Sequence, residues 1–341
     1  MEEAWTLARR SLEQDGWNLA VFDDDLRWPF AAKPLTISKV RGALFGVAIG
    51  DALGAAAEGQ PRRRLQENPV DKLLPHNGLP AGAVTDDTEL TLALARSILA
   101  VGTLDPADLA SRFITAGKEM VGGGWATQQA LARLERGAAW WLAGTPSAGN
   151  GAAMRAAPVG LFFEDPRTIR KAALLQAIVT HRDRSAVAGS VFHALWSGWL
   201  ARGGKADATV LPWLSAALAG FEKPLSTRHK QPRRTTLASL MTEAAEFVGD
   251  VVGAFERFRT GAFVLESLPS AAVVFLTYHD DPEAALLAAA NAGGDTDTIA
   301  ALVGAWLGAH LGDRRLRSRT PADWWRVSAS AEIERLSRLG T

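Results

Sequence analysis

Gly46, Gly50 and Gly54 stand four residues apart inside an apolar stretch, 42–59, and this spacing predicts that they line one ridge of a helix. Glycine inside a helix costs up to about 1 kcal/mol per position relative to alanine. That cost is tolerable where another backbone must come close, so the helix is expected to pack at short range against a neighbour. Elsewhere the pattern is also helical. Ile299, Leu302, Val303, Trp306, Leu307, His310 and Leu311 follow the spacing of one helix face, and so do Leu90, Ala93, Leu94, Ser97, Ile98 and Val101. Further helical runs are expected at about 106–118, 125–143, 166–180, 184–202, 209–220, 235–259, 261–277 and 282–291. Two-residue alternation is hardly visible, and 341 residues suffice for one large core. The expected fold class is all-α, a single compact multi-helix domain.

Lys plus Arg and Asp plus Glu both number 37, so the chain has no basic surplus and a nucleic-acid partner is not expected. There is no cysteine. Disulfides and thiolate chemistry are excluded, and any metal must be held by oxygen or imidazole. The start, MEEAWTLARR, lacks the form of a signal peptide. The stretch 42–59 contains Asp51, and 284–312 is broken by Gly293-Gly294-Asp295-Thr296-Asp297. Neither offers the ~18–20 uninterrupted apolar residues of a membrane span. A soluble, cytoplasmic monomer is expected.

Residues 1–36 read as an extension, mixed in charge, carrying Trp5, Trp17, Phe22, Trp28 and Phe30. They suit either a short helix and arm packed on the main domain, or a lid or partner-contacting arm. Segment 223–234 (KPLSTRHKQPRR) reads as a polar, basic connection, and 316–341 as a helical tail.

Asp51 and Glu58 are seven apart, which on a continuous helix places them on one face, two turns from each other. A carboxylate at Asp51, in so apolar a setting, needs a partner or a metal; capping a neighbouring helix would also serve. Two clusters of one form follow: Thr85-Asp86-Asp87-Thr88 and, 210 residues later, Asp295-Thr296-Asp297-Thr298, each opening a helix. Either alone suits helix capping. If the two loops face each other, four carboxylates converge, and their repulsion raises some pKa values unless cations neutralise them. Oxygen-only ligands select a hard ion, Mg²⁺, Mn²⁺ or Ca²⁺. A pair of ions ~3.5–4 Å apart is the geometry of a binuclear hydrolase.

The blocks Gly50-Asp51-Ala52-Leu53-Gly54 with Glu58, Thr85–Thr88, Gly149-Asn150-Gly151-Ala152-Ala153-Met154-Arg155, Thr180-His181 and Gly293–Thr298 occur in an order that resembles the ADP-ribosylglycohydrolases. The resemblance spans most of 37–312 and implies a catalytic domain at 37–315 with a binuclear Mg²⁺ or Mn²⁺ centre. It implies Thr85, Asp86, Asp87, Asp295, Asp297 and Thr298 as metal ligands, and Glu58, Asp87 and Asp297 as candidates for proton handling and water orientation. It places Ser147, Gly149, Asn150, Gly151 and Met154 at the diphosphate and its riboses, and His181 near the distal ribose. Gly122-Gly123-Gly124 looks like the family's glycine loop, where backbone N–H groups approach phosphate or ribose. Ala148 departs from relatives with an aromatic residue there, so ring stacking is lost at that position. The expected partner is an ADP-ribosylated protein or small-molecule adduct, and ADP-ribose is the expected product. A rival reading is a target-shielding or toxin-neutralising ADP-ribose-binding protein that uses its aromatic N-terminal arm.

Overall fold

The computed structural model describes residues 1–223 and 235–340, and among them β-structure is confined to isolated bridges. The longer helices are α1 (Glu2–Gln14), α2 (Ile37–Gly54), α3 (Asp86–Val101), α4 (Pro106–Gly117), α5 (Trp125–Glu135) and α6 (Pro166–Ile178). They continue with α7 (Arg184–Ala201), α8 (Val264–Tyr278), α9 (Pro282–Ala290), α10 (Thr296–Leu311) and α11 (Ser330–Leu339). The fold is all-α, as expected. None of the described helices is long and apolar enough to cross a membrane.

Three helices, α2, α7 and α10, are apolar on every side and buried along nearly their whole length, as helices at the centre of a core must be. The glycine ridge of α2 lies directly on α10. A Cβ added to Gly46 would sit 1.9 Å from the Gly304 carbonyl oxygen, and one on Gly50 would sit 2.0 Å from that of Ala300. Gly42 meets Gly308 and Gly54 meets Thr296 in the same way, and the contact is reciprocal at Gly304 and Gly308. Each step of four residues up α2 is a step of four down α10, so the helices run antiparallel with their four-residue ridges in register. The large face of α10 turns the other way. Trp306 packs on Trp196 of α7, with ring centres 4.3 Å apart, and on Phe275 of α8 at 5.9 Å.

The N-terminal extension packs on the domain. Trp5 and Phe22 are buried against each other, Phe22 meets Phe221 edge-on, Trp28 lies 5.3 Å from Trp213, and Phe30 lies 4.7 Å from Trp199. These rings therefore find their partners within the chain.

Some expected runs are divided. The run 125–143 stops at Glu135 because Gly137 takes a left-handed conformation (φ 88°), and Ala138 N–H closes back on the Arg133 carbonyl. The run 235–259 breaks at Gly249 (φ 95°), after which Asp250 caps a new helix through Gly253 N–H. Within 209–220 only Leu211–Ala216 is α-helical, after a single 3-10 turn. Helical periodicity persists across such breaks, because the flanking residues face the same core. Of the basic connection 223–234, residues 224–234 lie outside the described residues.

The ladder predicts that Gly46→Ala and Gly304→Ala each lower stability by about 2–3 kcal/mol, since backbone cannot move aside as a side chain can. Urea unfolding reads this directly, and an unchanged midpoint would refute the close backbone contact.

Candidate active site

The carboxylates gather where α2 ends. Asp51, fully buried on the last turns of α2, accepts hydrogen bonds from Thr85 N–H (2.9 Å) and Oγ1 (2.8 Å) and from Thr88 N–H (3.1 Å) and Oγ1 (2.5 Å). It therefore caps α3 from a different helix. Burial pushes its pKa up, and those donors pull against the rise. Neither α3 nor α10 uses its own N-cap side chain to close its first turn. Of the four carboxylates in the acidic clusters, Asp297 accepts a first-turn N–H of its own helix, that of Thr298 at 2.9 Å.

Glu58 does not continue the face of α2, contrary to the seven-residue spacing. The helix ends at Gly54, whose carbonyl accepts from Thr296 Oγ1 and from Ala57 N–H, so it cannot bond Glu58 N–H in a further helical turn. Backbone pairing places Glu58 instead: Gly59 N–H donates to the Gly294 carbonyl and Gly294 N–H to that of Gln60. Gly294 (φ 72°) precedes Asp295, and a Cβ there would strike the Thr260 carbonyl. The pairing sets Glu58 beside α10, where Glu58, Asp295 and Asp297 each offer an oxygen within 4.8 Å of the others.

The two acidic loops meet. Thr298 Oγ1 donates to Asp87 Oδ2 across 3.3 Å, although the residues are 211 apart in sequence. Asp87 Oδ1 is buried with no hydrogen-bond partner. Burial raises the pKa of Asp87 well above the usual carboxylate range, and the charge of Asp297 adds to it; Asp297 is raised likewise by burial and by Asp295 and Glu58. Burial takes Asp86 up to about 7 against a hydrogen bond from Gly123 N–H. Glu58 is raised by partial burial and by the charges of Asp295 and Asp51. An orphaned buried carboxylate oxygen within an all-oxygen donor set, under this repulsion, fits a divalent cation.

These groups border a cavity of about 740 Å³, a size that admits a nucleotide-like ligand. Every site residue singled out in the sequence lines it except Thr85: Glu58, Asp86, Asp87, Gly122–Gly124, Ser147, Gly149, Asn150, Gly151, Met154, His181, Asp295, Asp297 and Thr298. Thr85 sits behind the wall, its hydroxyl proton given to Asp51. Gly122 and Gly123 adopt positive φ (93° and 82°), and a Cβ on Gly122 would collide with Asp86 Oδ1. The amide nitrogen of Asn150 is committed to Ser267 Oγ and Asp295 Oδ2, so this side chain orients a carboxylate. Trp125 and Phe263 also line the cavity, as does Ala148. Sequence reasoning missed both rings. Phe263 arrives through backbone pairing, Asn150 N–H to the Ala262 carbonyl and Val264 N–H to that of Ala148, which no local pattern announces.

A family model of ADP-ribosylglycohydrolases matches residues 32–340. The ADP-ribosylarginine hydrolase Tri1 of Serratia proteamaculans is 30% identical, over 89% of this chain and 78% of its own length. The ADP-ribosylhydrolase ARH3 of Mus musculus is 28% identical, over 85% of this chain and 87% of its own. A solved structure described as an ADP-ribosylglycohydrolase-related protein complex superposes with a TM-score of 0.70 at 28% identity, covering 89% of this chain and 97% of that one. With the family model spanning nearly the whole chain and the fold shared, this protein belongs to the ADP-ribosylglycohydrolase family.

Proposed function

We propose that this chain hydrolyses the glycosidic bond joining ADP-ribose to a modified target, a protein side chain or a small-molecule adduct, and releases ADP-ribose. The observation that carries the reading is the meeting of the two acidic loops at one cavity, with Asp87 Oδ1 left unpaired. In this reading Asp86, Asp87, Asp295, Asp297, Thr85 and Thr298 hold two Mg²⁺ or Mn²⁺ ions. When bound, the ions would neutralise the carboxylates, anchor the ribose hydroxyls and lower the pKa of a water. Thr85 suits the role because its proton is spent on Asp51, which leaves oxygen lone pairs free.

Cleavage at the ribose C1 builds positive charge on the sugar ring. The carboxylates around it favour that charge, and Asp87 or Asp297 orients the attacking water. Glu58 holds a proton more readily than an ordinary glutamate, because of its burial and the neighbouring Asp295 and Asp51. It therefore serves to deliver a proton to the leaving group. The glycines of 122–124 and 149–151 leave room for diphosphate oxygens to reach backbone N–H groups. Decisive evidence is a panel of ADP-ribosylated arginine, serine and nucleotide substrates assayed with Mg²⁺ and with Mn²⁺; cleavage of none would refute the proposal.

Asp87→Asn and Asp297→Asn should each cost more than about 100-fold in turnover with the circular dichroism of the folded chain unchanged, and EDTA should abolish activity reversibly. Full activity in EDTA would contradict the scheme. Glu58→Gln should slow turnover by about 10²–10⁴-fold, while calorimetry finds ADP-ribose affinity little changed.

Without cations, the raised carboxyl groups keep protons in the folded chain that the unfolded chain releases. Stability therefore falls as pH rises from the ordinary carboxylate range through about 7, the value for Asp86. Mg²⁺ takes the place of those protons and must compete with them below that range. The rise in melting temperature on adding Mg²⁺ should thus be larger at about pH 8 than at about pH 5.5. An equal or reversed gain would contradict the assignment of the ligands.

A further inference from the structure

Behind the cavity wall lies a guanidinium with no solvent exposure. Arg155 Nε donates to Gln176 Oε1 (2.8 Å), Nη1 to the Gly151 carbonyl (3.0 Å), and Nη2 to the Gln176 carbonyl (3.1 Å) and Thr180 Oγ1 (2.7 Å). Its face covers the Phe113 ring at 4.5 Å. Its hydrogen-bond partners are all neutral oxygens, and Asp86 acts on the guanidinium only through longer-range attraction, a costly arrangement for a buried cation. Burial lowers its pKa only to about 9, so it stays charged near neutral pH.

A guanidinium has only donors. Thr180 Oγ1 must therefore accept from Arg155, and among the described residues its other polar contact is His181 Nδ1, at 2.8 Å. The Thr180 proton has a buried acceptor only if that nitrogen is unprotonated; the opposite arrangement strands a buried hydroxyl proton. Protonation of the whole ring is opposed by burial and by the Arg155 charge, which hold its pKa down to about 3. The remaining ring proton then sits on Nε2. That edge faces Gly149 and Gly151: a Cβ on either would lie 3.4 Å or 3.2 Å from Nε2, and the one on Gly151 only 2.8 Å from Cε1. Glycine at these positions keeps the edge clear beside the cavity.

We infer that Arg155 and Thr180 are positioning residues that lock His181 as its neutral Nε2–H tautomer, so that the wall presents a hydrogen-bond donor and selects a ligand oxygen, hydroxyl or phosphate, that accepts. The donor's use by ADP-ribose rests on the function proposed above; the lock itself does not.

The test is ¹⁵N nuclear magnetic resonance of the imidazole in the full-length protein, with His181 assigned by its loss in His181→Gln. The lock predicts a protonated Nε2 and an unprotonated Nδ1 in the free protein. Thr180→Val, of nearly equal volume, removes the donor to Nδ1, so the Nδ1 resonance should move downfield toward that of a nitrogen that accepts no hydrogen bond, and ADP-ribose binding should weaken about five- to tenfold, the worth of one hydrogen bond, as the ring loses its anchor. Thr180→Ser should restore both. A wild-type ring protonated at Nδ1, or an Nδ1 resonance unmoved in Thr180→Val, overturns the inference. An Nε2–H ring that responds to these variants upholds it, even if ADP-ribose binds no form of the protein, an outcome that would sink the functional reading alone.

Discussion

The contact between α2 and α10 is the constraint on which the rest of this molecule depends. With glycine facing backbone at Gly42, Gly46, Gly50 and Gly54, the two helices approach closer than side chains would permit. The closeness carries the start of α10 onto the end of α2, where Thr296 takes the Gly54 carbonyl and stops the helix. Asp51, one turn earlier, reaches across to cap α3. One buried helix end thereby holds both acidic loops, and the carboxylates that repel one another are assembled by packing elsewhere.

That division of labour explains why the site tolerates its own electrostatics. A cluster in which Asp87 and Asp297 are both pushed well above their usual range works against the folded state while no cation is bound. The opposing stability comes from apolar helices that are buried on all sides. Asn150 and the Gly294 turn then fix individual carboxylates, Asp295 by a side-chain bond and Glu58 by paired backbone. Strain in the site and support for it thus reside in separate parts of the chain.

Much of this was legible in the sequence because it is written in local spacing. The α2 ridge announced a close neighbour, and helical periodicity marked most elements. The neighbour was also visible in principle, since Gly304, Gly308 and Gly312 repeat the four-residue spacing, but the large residues of α10 dominate its pattern and conceal its small face. Asp51 was open to several readings because its four donors belong to another helix. The place of Glu58 was misread because a helix terminus set by Thr296, 242 residues from Gly54, leaves no mark at 54–58. Breaks at Gly137 and Gly249 were hidden for a simpler reason: a glycine has to adopt positive φ before it ends a helix, and its identity alone does not say that it will. The state of His181 depends on Arg155 through Thr180, a chain of contacts that only three dimensions can order.

The matched ladders also govern how this chain can change in length. Removing one residue between Gly42 and Gly54, or between Thr296 and Gly308, would turn the following stretch by about 100° and shift it by about 1.5 Å. Every rung beyond the deletion would then present a side chain to backbone. Insertions and deletions are therefore confined to the connecting segments, and the two helices behave as a vernier whose divisions can be relabelled but not respaced.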